Sequence, residues 1–279
     1  MSRILVVAHL NHDRIWQIDR PLVAGARIPW GERAIRLGGG GFFTGSQLLA
    51  LGHDVALVGS LGDDELGQSA WKQLAERGFD LTHVMWRDSK TQLTEILLEP
   101  TGERTILTPR NAPARPFTLR GEVHAQAAYI NCFNPDAAIH AAFDAIPLVA
   151  SQFPLSDSAV FRPADLMIGS RGDLAGLDMQ TLWNRSRTLC GPRLRHLVIT
   201  DGPNPITVFD GQQIHPVQPA KRVAVRSTIG AGDHFSANLI SAILRGLTMS
   251  EAAGTASDAT ARWLDERDRK PVEEALETP

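Results

Sequence analysis

Ser227-Thr-Ile-Gly-Ala-Gly-Asp-His-Phe-Ser-Ala-Asn238 runs from a glycine-rich turn directly into a segment of helical spacing, Gly232 to Leu244. The first amides of a helix have no partner within it, and the helix dipole is positive at that end. Such a turn suits a phosphate, and Gly230 and Gly232 let the main chain approach an anion closely. Asp233 follows on the first turn. A carboxylate beside a phosphate is repelled unless the chemistry needs it, and phosphoryl transfer does: the attacking hydroxyl must lose its proton as the bond to phosphorus forms. With an ordinary pKa of about 3.9, Asp233 at a helix N-terminus is expected to stay ionised and able to accept it. Read alone, the same carboxylate is also a favourable first-turn charge worth about 0.3–1 kcal/mol.

Outward from this stretch the chain alternates strand and helix. Ile4 to Ala8 is a continuous apolar run, as in a parallel strand covered on both faces. Val55 to Val58, Ala127 to Asn131, Leu166 to Ile168 and Leu197 to Thr200 repeat the pattern. Helical spacing occupies Ser46 to Leu51, Glu65 to Arg77, Pro135 to Ile146, Met179 to Leu189 and Ser250 to Leu264, with Gly52 and Gly78 as stops. The alternation predicts an α/β layered fold with a mostly parallel sheet, in one domain over 1–279. Ile206 to Phe209 and Gln213 to Val217 form a hairpin pattern across Asp210-Gly211. The charge-rich residues 266–279 are expected to be a loose terminal helix.

Two segments interrupt the alternation. Residues 14–36 and 83–110 are strand-like and punctuated by turns, with Thr91 to Leu98 and Arg104 to Thr108 paired around Thr101-Gly102. They predict a small β excursion that acts as a lid. Just past the first strand, Asn11 and Asp13 flank His12 and can share a face and hydrogen-bond sugar hydroxyls; taken alone, an Asx-rich turn explains them better. Gly38 to Gly41 implies positive φ or close approach to a ligand, or simply a flexible turn. It is neither a Walker A loop, since Ser46 stands where Lys is required, nor a dinucleotide fingerprint, since Thr44 replaces the last glycine.

The chain has 279 residues, 43% hydrophobic and 21% charged, with a net charge of -3 and no basic block. That argues against a nucleic-acid partner. Two cysteines exclude a disulfide framework and point to a reducing compartment. No apolar run reaches the roughly 18 residues of a membrane span, and no signal sequence opens the chain, so a cytoplasmic enzyme is the expectation.

Taken in order, these motifs resemble the ribokinase-like (phosphofructokinase B) family of carbohydrate kinases, nearest its ketohexokinase branch. The glycine run with Leu51-Gly-His-Asp-Val-Ala-Leu-Val-Gly-Ser-Leu-Gly-Asp-Asp-Glu-Leu-Gly67 is similar to the family's N-terminal motif, and Ser227 to Asn238 to its C-terminal motif. Gly102-Glu-Arg-Thr105 and Thr200-Asp-Gly202 fit between them. The branch is suggested by Arg104 to Asn111 and by Tyr129 to Asn134. The resemblance implies a three-layer fold with a β-clasp lid, ATP and Mg²⁺. It implies Asp233 as catalytic base and Gly230, Ala231 and Gly232 as an anion hole. It implies Asn11, Asp13, Gly38, Gly39, Gly40, Phe43 and Asn111 as sugar contacts. Ser170, Thr200, Gly202, Thr228 and Ser257 would lie along the nucleotide, and Asp173 would hold a metal-bound water. Strands of the clasp can pair between subunits as a homodimer.

Four positions depart from the pattern. Phe43 replaces an Asn that binds a sugar hydroxyl, a loss of about 1–3 kcal/mol for a substrate hydroxyl buried there. Ser227 replaces an Asp, which puts a monovalent-cation site in question. Ser170-Arg-Gly-Asp173 replaces the Asn-x-x-Glu motif, and Pro205 falls near a usual glycine. The function expected is ATP-dependent phosphorylation of a hydroxyl of a small sugar, a ketose or related carbohydrate. The alternatives are a nucleoside kinase with its ring stacked on Phe43, or a ligand-sensing protein of weakened catalysis.

Overall fold

The computed structural model describes residues 1–91, 93–109, 117–153, 161–174, 176–219, 223 and 225–269. Its strands are β1 (Arg3–Ala8), β2 (Asn11–Ile18), β3 (Trp30–Gly38), β4 (Asp54–Gly62), β5 (Asp80–Arg87), β6 (Leu93–Leu98), β7 (Arg104–Leu107), β8 (Ala127–Asn131), β9 (Leu148–Gln152), β10 (Leu166–Ser170), β11 (His196–Asp201), β12 (Asn204–Phe209) and β13 (Ile214–Val217). Its helices are α1 (Gly40–Ala50), α2 (Glu65–Glu76), α3 (Ala137–Ala145), α4 (Met179–Cys190), α5 (Ala231–Leu244) and α6 (Met249–Arg269).

Nine strands form the main sheet in the order β13-β12-β11-β10-β9-β8-β1-β4-β5. From β11 to β5 every pair is parallel, and β12 and β13 close one edge as the expected antiparallel hairpin. Along β1 the side chains divide by the period of two. Ile4, Val6 and Ala8 join a core shared with α1, α2, α5 and α6, while Leu5 and Val7 join one shared with α3 and α4. The continuous apolar run in β1 thus exists because helices cover both sheet faces.

The segments expected to form a lid contribute a second sheet in the order β3-β2-β6-β7. It leaves the main sheet right after β1 and returns at α1. Its second segment is shorter than 83–110: β5 pairs in parallel with β4 and is the edge of the main sheet, so lid strands there begin at Leu93. His83 and Val84 are buried in that edge, which alternation by itself does not distinguish from a lid strand.

Three further expectations change. α1 begins at Gly40, not near Ser46, because Gly39 (φ 85°) turns the chain onto the strand end; a Cβ there would lie 2.6 Å from the His9 carbonyl oxygen. β9 was hidden by its Ala, Ser and Gln content and forms through parallel pairing with β8 and β10. Residues 266–269 are no loose tail: α6 continues through them and Arg267 is 5% exposed. Among the described residues no helix is long and apolar enough to cross a membrane.

Helix capping separates structure from site. α2, α3 and α4 start at Asp64, Asp136 and Asp178, whose carboxylates accept from Gly67, Ile139 and Thr181 amides at 2.8–2.9 Å. α6 starts with a Thr248/Glu251 capping box. α1 and α5 start at Gly39 and Gly230, with no side-chain cap. Those two N-termini are the pair that meets at the cleft described next.

Candidate active site

The parallel strands end on one side of the sheet, and polar residues collect there, beyond the carboxyl ends, where open α/β sheets bind ligands. His9 follows β1, and Asn131, Gln152 and Ser170 close β8, β9 and β10; with Thr200 of β11 they line one cleft. Gly232, Asp233 and Phe235 enter it from α5, and Asp173, Arg162 and Arg104 complete the wall.

Asp233 lies between the starts of α5 and α1. A methyl group on Gly40 would fall 3.2 Å from its Oδ1 and 2.3 Å from Asn131 Nδ2. Thr44 of α1 donates its hydroxyl to Asp233 Oδ1 at 3.2 Å. Burial pushes the Asp233 carboxyl up to about 6, against opposing pulls from the Arg104 charge and the Thr44 hydrogen bond. The ordinary carboxylate value expected from the helix end is therefore not retained: desolvation outweighs the local dipole. At neutral pH the group is mostly ionised and is a stronger base than a surface Asp. Tyr129, fully buried beneath, has its hydroxyl pKa raised by burial and by the Asp233 charge.

Gly230 is left-handed (φ 81°, ψ -6°) and turns the chain into α5. The Ala231 amide donates back to Thr228 O at 3.1 Å, so this one expected anion-hole amide is engaged in a turn. The Gly230, Gly232 and Asp233 amides have no partner among the described residues. Phe43, 5% exposed, packs its ring under the loop; a methyl on Gly230 would sit 3.2 Å from Phe43 Cδ1.

The residues expected as sugar contacts meet at the root of the second sheet. Asp13, 4% exposed, packs on Gly38, where a methyl would meet Oδ2 at 2.1 Å, and Asn11 pairs with Gly38 across the lid. Asn11, Asp13 and Gly38 to Gly40 are thus brought together, with Gly40 against Asp233, though none of the five is among the residues lining the cleft. Asn111 lies outside the described residues. Of the residues expected along a nucleotide, Ser170, Thr200 and Asp173 share the cleft, while Gly202 and Ser257 are not among its lining residues. Thr228 is held by Arg104, whose Nη1 donates to its hydroxyl at 2.6 Å.

The sequence profile of the family described as pfkB family carbohydrate kinase matches residues 32–133 and 148–264. The chain belongs to this family. Among curated relatives of this pfkB kinase, an ATP-dependent ribose-1-phosphate kinase of Halopiger xanaduensis is 27% identical over 307 residues, covering 96% of this chain and 99% of that one. The fructoselysine 6-kinase of Escherichia coli is 24% identical over 212 residues, 73% and 80% of the two chains. The ribokinase of Giardia lamblia superposes with a TM-score of 0.75 at 14% identity, over 99% of this chain and 96% of that one, so the fold is ribokinase-like.

Sequence reasoning passed over several cleft residues of this pfkB kinase. Asn131 ends a recognised strand, and its position after an apolar run was a usable signal. Gln152 ends the unrecognised β9, and Thr44 sits one residue past Phe43 in an unremarked helical turn. Arg104 belongs to the Gly102–Thr105 and Arg104–Asn111 stretches, neither of which places it in a cleft with Asp233.

Proposed function

We propose that this chain transfers the γ-phosphoryl group of ATP to a hydroxyl of a small sugar, with Asp233 as the base that removes the hydroxyl proton. The carrying observation is a desolvated carboxylate between two helix N-termini that lack side-chain caps. The sugar lies against Asn11, Asp13 and Gly38 to Gly40. ATP lies along Ser170 and Thr200, on the far side of Asp233. The free amides of Gly230, Gly232 and Asp233 accept the charge that gathers on the moving phosphoryl oxygens. The relatives that act on ribose 1-phosphate and fructoselysine support a sugar acceptor. Phe43 packs under Gly230, which leaves it a poor platform for a nucleoside base.

Among the described residues no group of three His, Cys, Asp or Glu side chains gathers around a metal site. Asp173 in the cleft fits Mg²⁺, which keeps most of its waters and takes its remaining ligands from nucleotide phosphates. Bound there, the ion would neutralise phosphate charge, with Asp173 accepting from one of its waters.

The test is ADP release, with ³¹P detection of product, over ketoses, aldoses, ribose 1-phosphate, fructoselysine and nucleosides. Sugar-dependent ADP release is expected; turnover confined to nucleosides, or absent throughout, rejects the reading. For the accepted sugar, kcat/KM should rise with pH through about 6 and level off above it, because the ionised form of Asp233 is the active one. A flat profile from acid to neutral pH would count against the base. Arg104→Ala should lower kcat by roughly 10–10³ through lost phosphoryl stabilisation. It should also move the midpoint to higher pH, since Arg104 pulls the Asp233 pKa down. A variant with an unmoved midpoint would show that Arg104 does not act on Asp233.

A further inference from the structure

Arg267, near the end of α6, reaches the back of the loop whose front faces the cleft. Its Nη1 donates to the Ile229 carbonyl at 2.8 Å and its Nη2 to the Ser227 carbonyl. The guanidinium lies over the Trp263 ring, 4.4 Å from the centroid. That ring stacks on His234, the neighbour of Asp233, at 4.7 Å and 19°. The Asp268 carboxylate lies 3.8 Å from Arg267 Nε. Burial lowers the Arg267 pKa to about 10, which still leaves the group charged at neutral pH.

The peptide unit makes these contacts consequential. In a trans peptide the carbonyl and the N–H point in opposite directions. Holding Ile229 O toward α6 therefore turns the Gly230 N–H away from α6. Holding Ser227 O does the same to the Thr228 N–H, which donates to Gly102 O of the lid turn at 3.2 Å. One side chain thus sets both an amide of the phosphoryl loop and the amide on which the lid docks. A positive charge at a carbonyl also strengthens the N–H of the same peptide as a donor.

Backbone carbonyls converging on one positive charge are also the donor set of an alkali-metal ion. Here the charge is carried by the chain, and Ser227 places no carboxylate at the loop entrance. We infer that Arg267 is a positioning residue that serves as a built-in cation for the phosphoryl-binding loop, in place of a dissociable monovalent ion. This rests on the cleft being the phosphoryl-transfer site.

The experiment compares wild type, Arg267→Lys and Arg267→Met in KCl, NaCl and tetramethylammonium chloride at equal ionic strength. It reads sugar-dependent ADP release and melting temperature. Wild-type kcat and melting temperature should be the same in all three salts. Arg267→Met should lose roughly 10–10² in kcat with little change in the sugar KM. Arg267→Lys should retain more activity than Arg267→Met, and K⁺ should restore part of the Met variant but not alter wild type. Wild type that turns over faster or melts higher specifically in K⁺ overturns the inference, as does a folded Arg267→Met with unchanged kcat. Should Arg267→Met not fold, the salt response of wild type and the activity of Arg267→Lys decide. Should wild type turn over no sugar, the failure belongs to the proposed reaction, and the melting temperatures still show whether K⁺ binds.

Discussion

Asp233→Asn should lower kcat by about 10²–10⁴ while sugar and nucleotide still bind, and the inactive variant should be the more stable protein above pH 6. The amide keeps the shape of the carboxylate and can keep the Thr44 contact to its oxygen. What it loses is the capacity to take a proton. The stability change follows from linkage. Burial raises the carboxyl from an unfolded value near 3.8 to about 6 in the native state. A raised acid contributes its stabilisation in full below the unfolded value and loses it as pH rises through the folded one. At pH 7–8 the native enzyme therefore holds a carboxylate that the fold disfavours, and a neutral Asn relieves it. Near pH 3 both side chains are neutral and the difference should vanish. Melting curves at pH 5 and 8, alongside turnover, separate a lost base from a lost fold. Full turnover in the variant rejects the base, and a lower melting temperature at pH 8 rejects the buried-charge account.

Gly67→Ala should cost about 3 kcal/mol of stability and lower the melting temperature by roughly 6–12 °C. Gly67 lies on the first turn of α2, where that turn crosses the end of β4. A Cβ at this position would fall 1.9 Å from the Gly62 carbonyl oxygen, an atom of the main chain that cannot swing aside. Gly62 is itself confined: its own added Cβ would be 2.7 Å from Ser89 O and Thr91 N. The cap of α2 would be disturbed with it, because Asp64 Oδ1 accepts from both the Gly67 amide at 2.9 Å and the Thr91 hydroxyl at 2.7 Å. Thr91 leads into lid strand β6, so the strain reaches the lid root as well. Thermal and urea unfolding check this, and an alanine variant that melts with the wild type would show that α2 can shift without cost.

Local chemistry made much of this protein legible in one dimension. The turn before α5, the carboxylate on its first turn and the parallel alternation of strands and helices each depend on residues a few positions apart. The same holds for the lid hairpin at Thr101-Gly102 and the terminal hairpin at Asp210-Gly211. Glycine stereochemistry, helix-end electrostatics and apolar periodicity operate over that range.

Other features depend on residues that meet only in the folded chain. Arg267 reaches Ser227 across 40 positions, and Thr44 reaches Asp233 across 189. No local pattern marks either pair, and a charge-rich tail reads as solvated until Ser227 and Ile229 carbonyls are placed beside it. β9 has weak strand composition and exists because two neighbours pair with it. β5 has the same strand pattern as the lid, and only its partner β4 assigns it to the main sheet. Phe43 reads as a substitution in a sugar site, yet its ring is spent on packing under Gly230. The basicity of Asp233 shows the division most clearly. Its place on the helix, set by sequence, favours an ordinary carboxylate. Its half-buried place at the cleft against α1 and β8, set by tertiary structure, raises the pKa to about 6, because desolvation integrates over every element around the group whereas the dipole belongs to one helix.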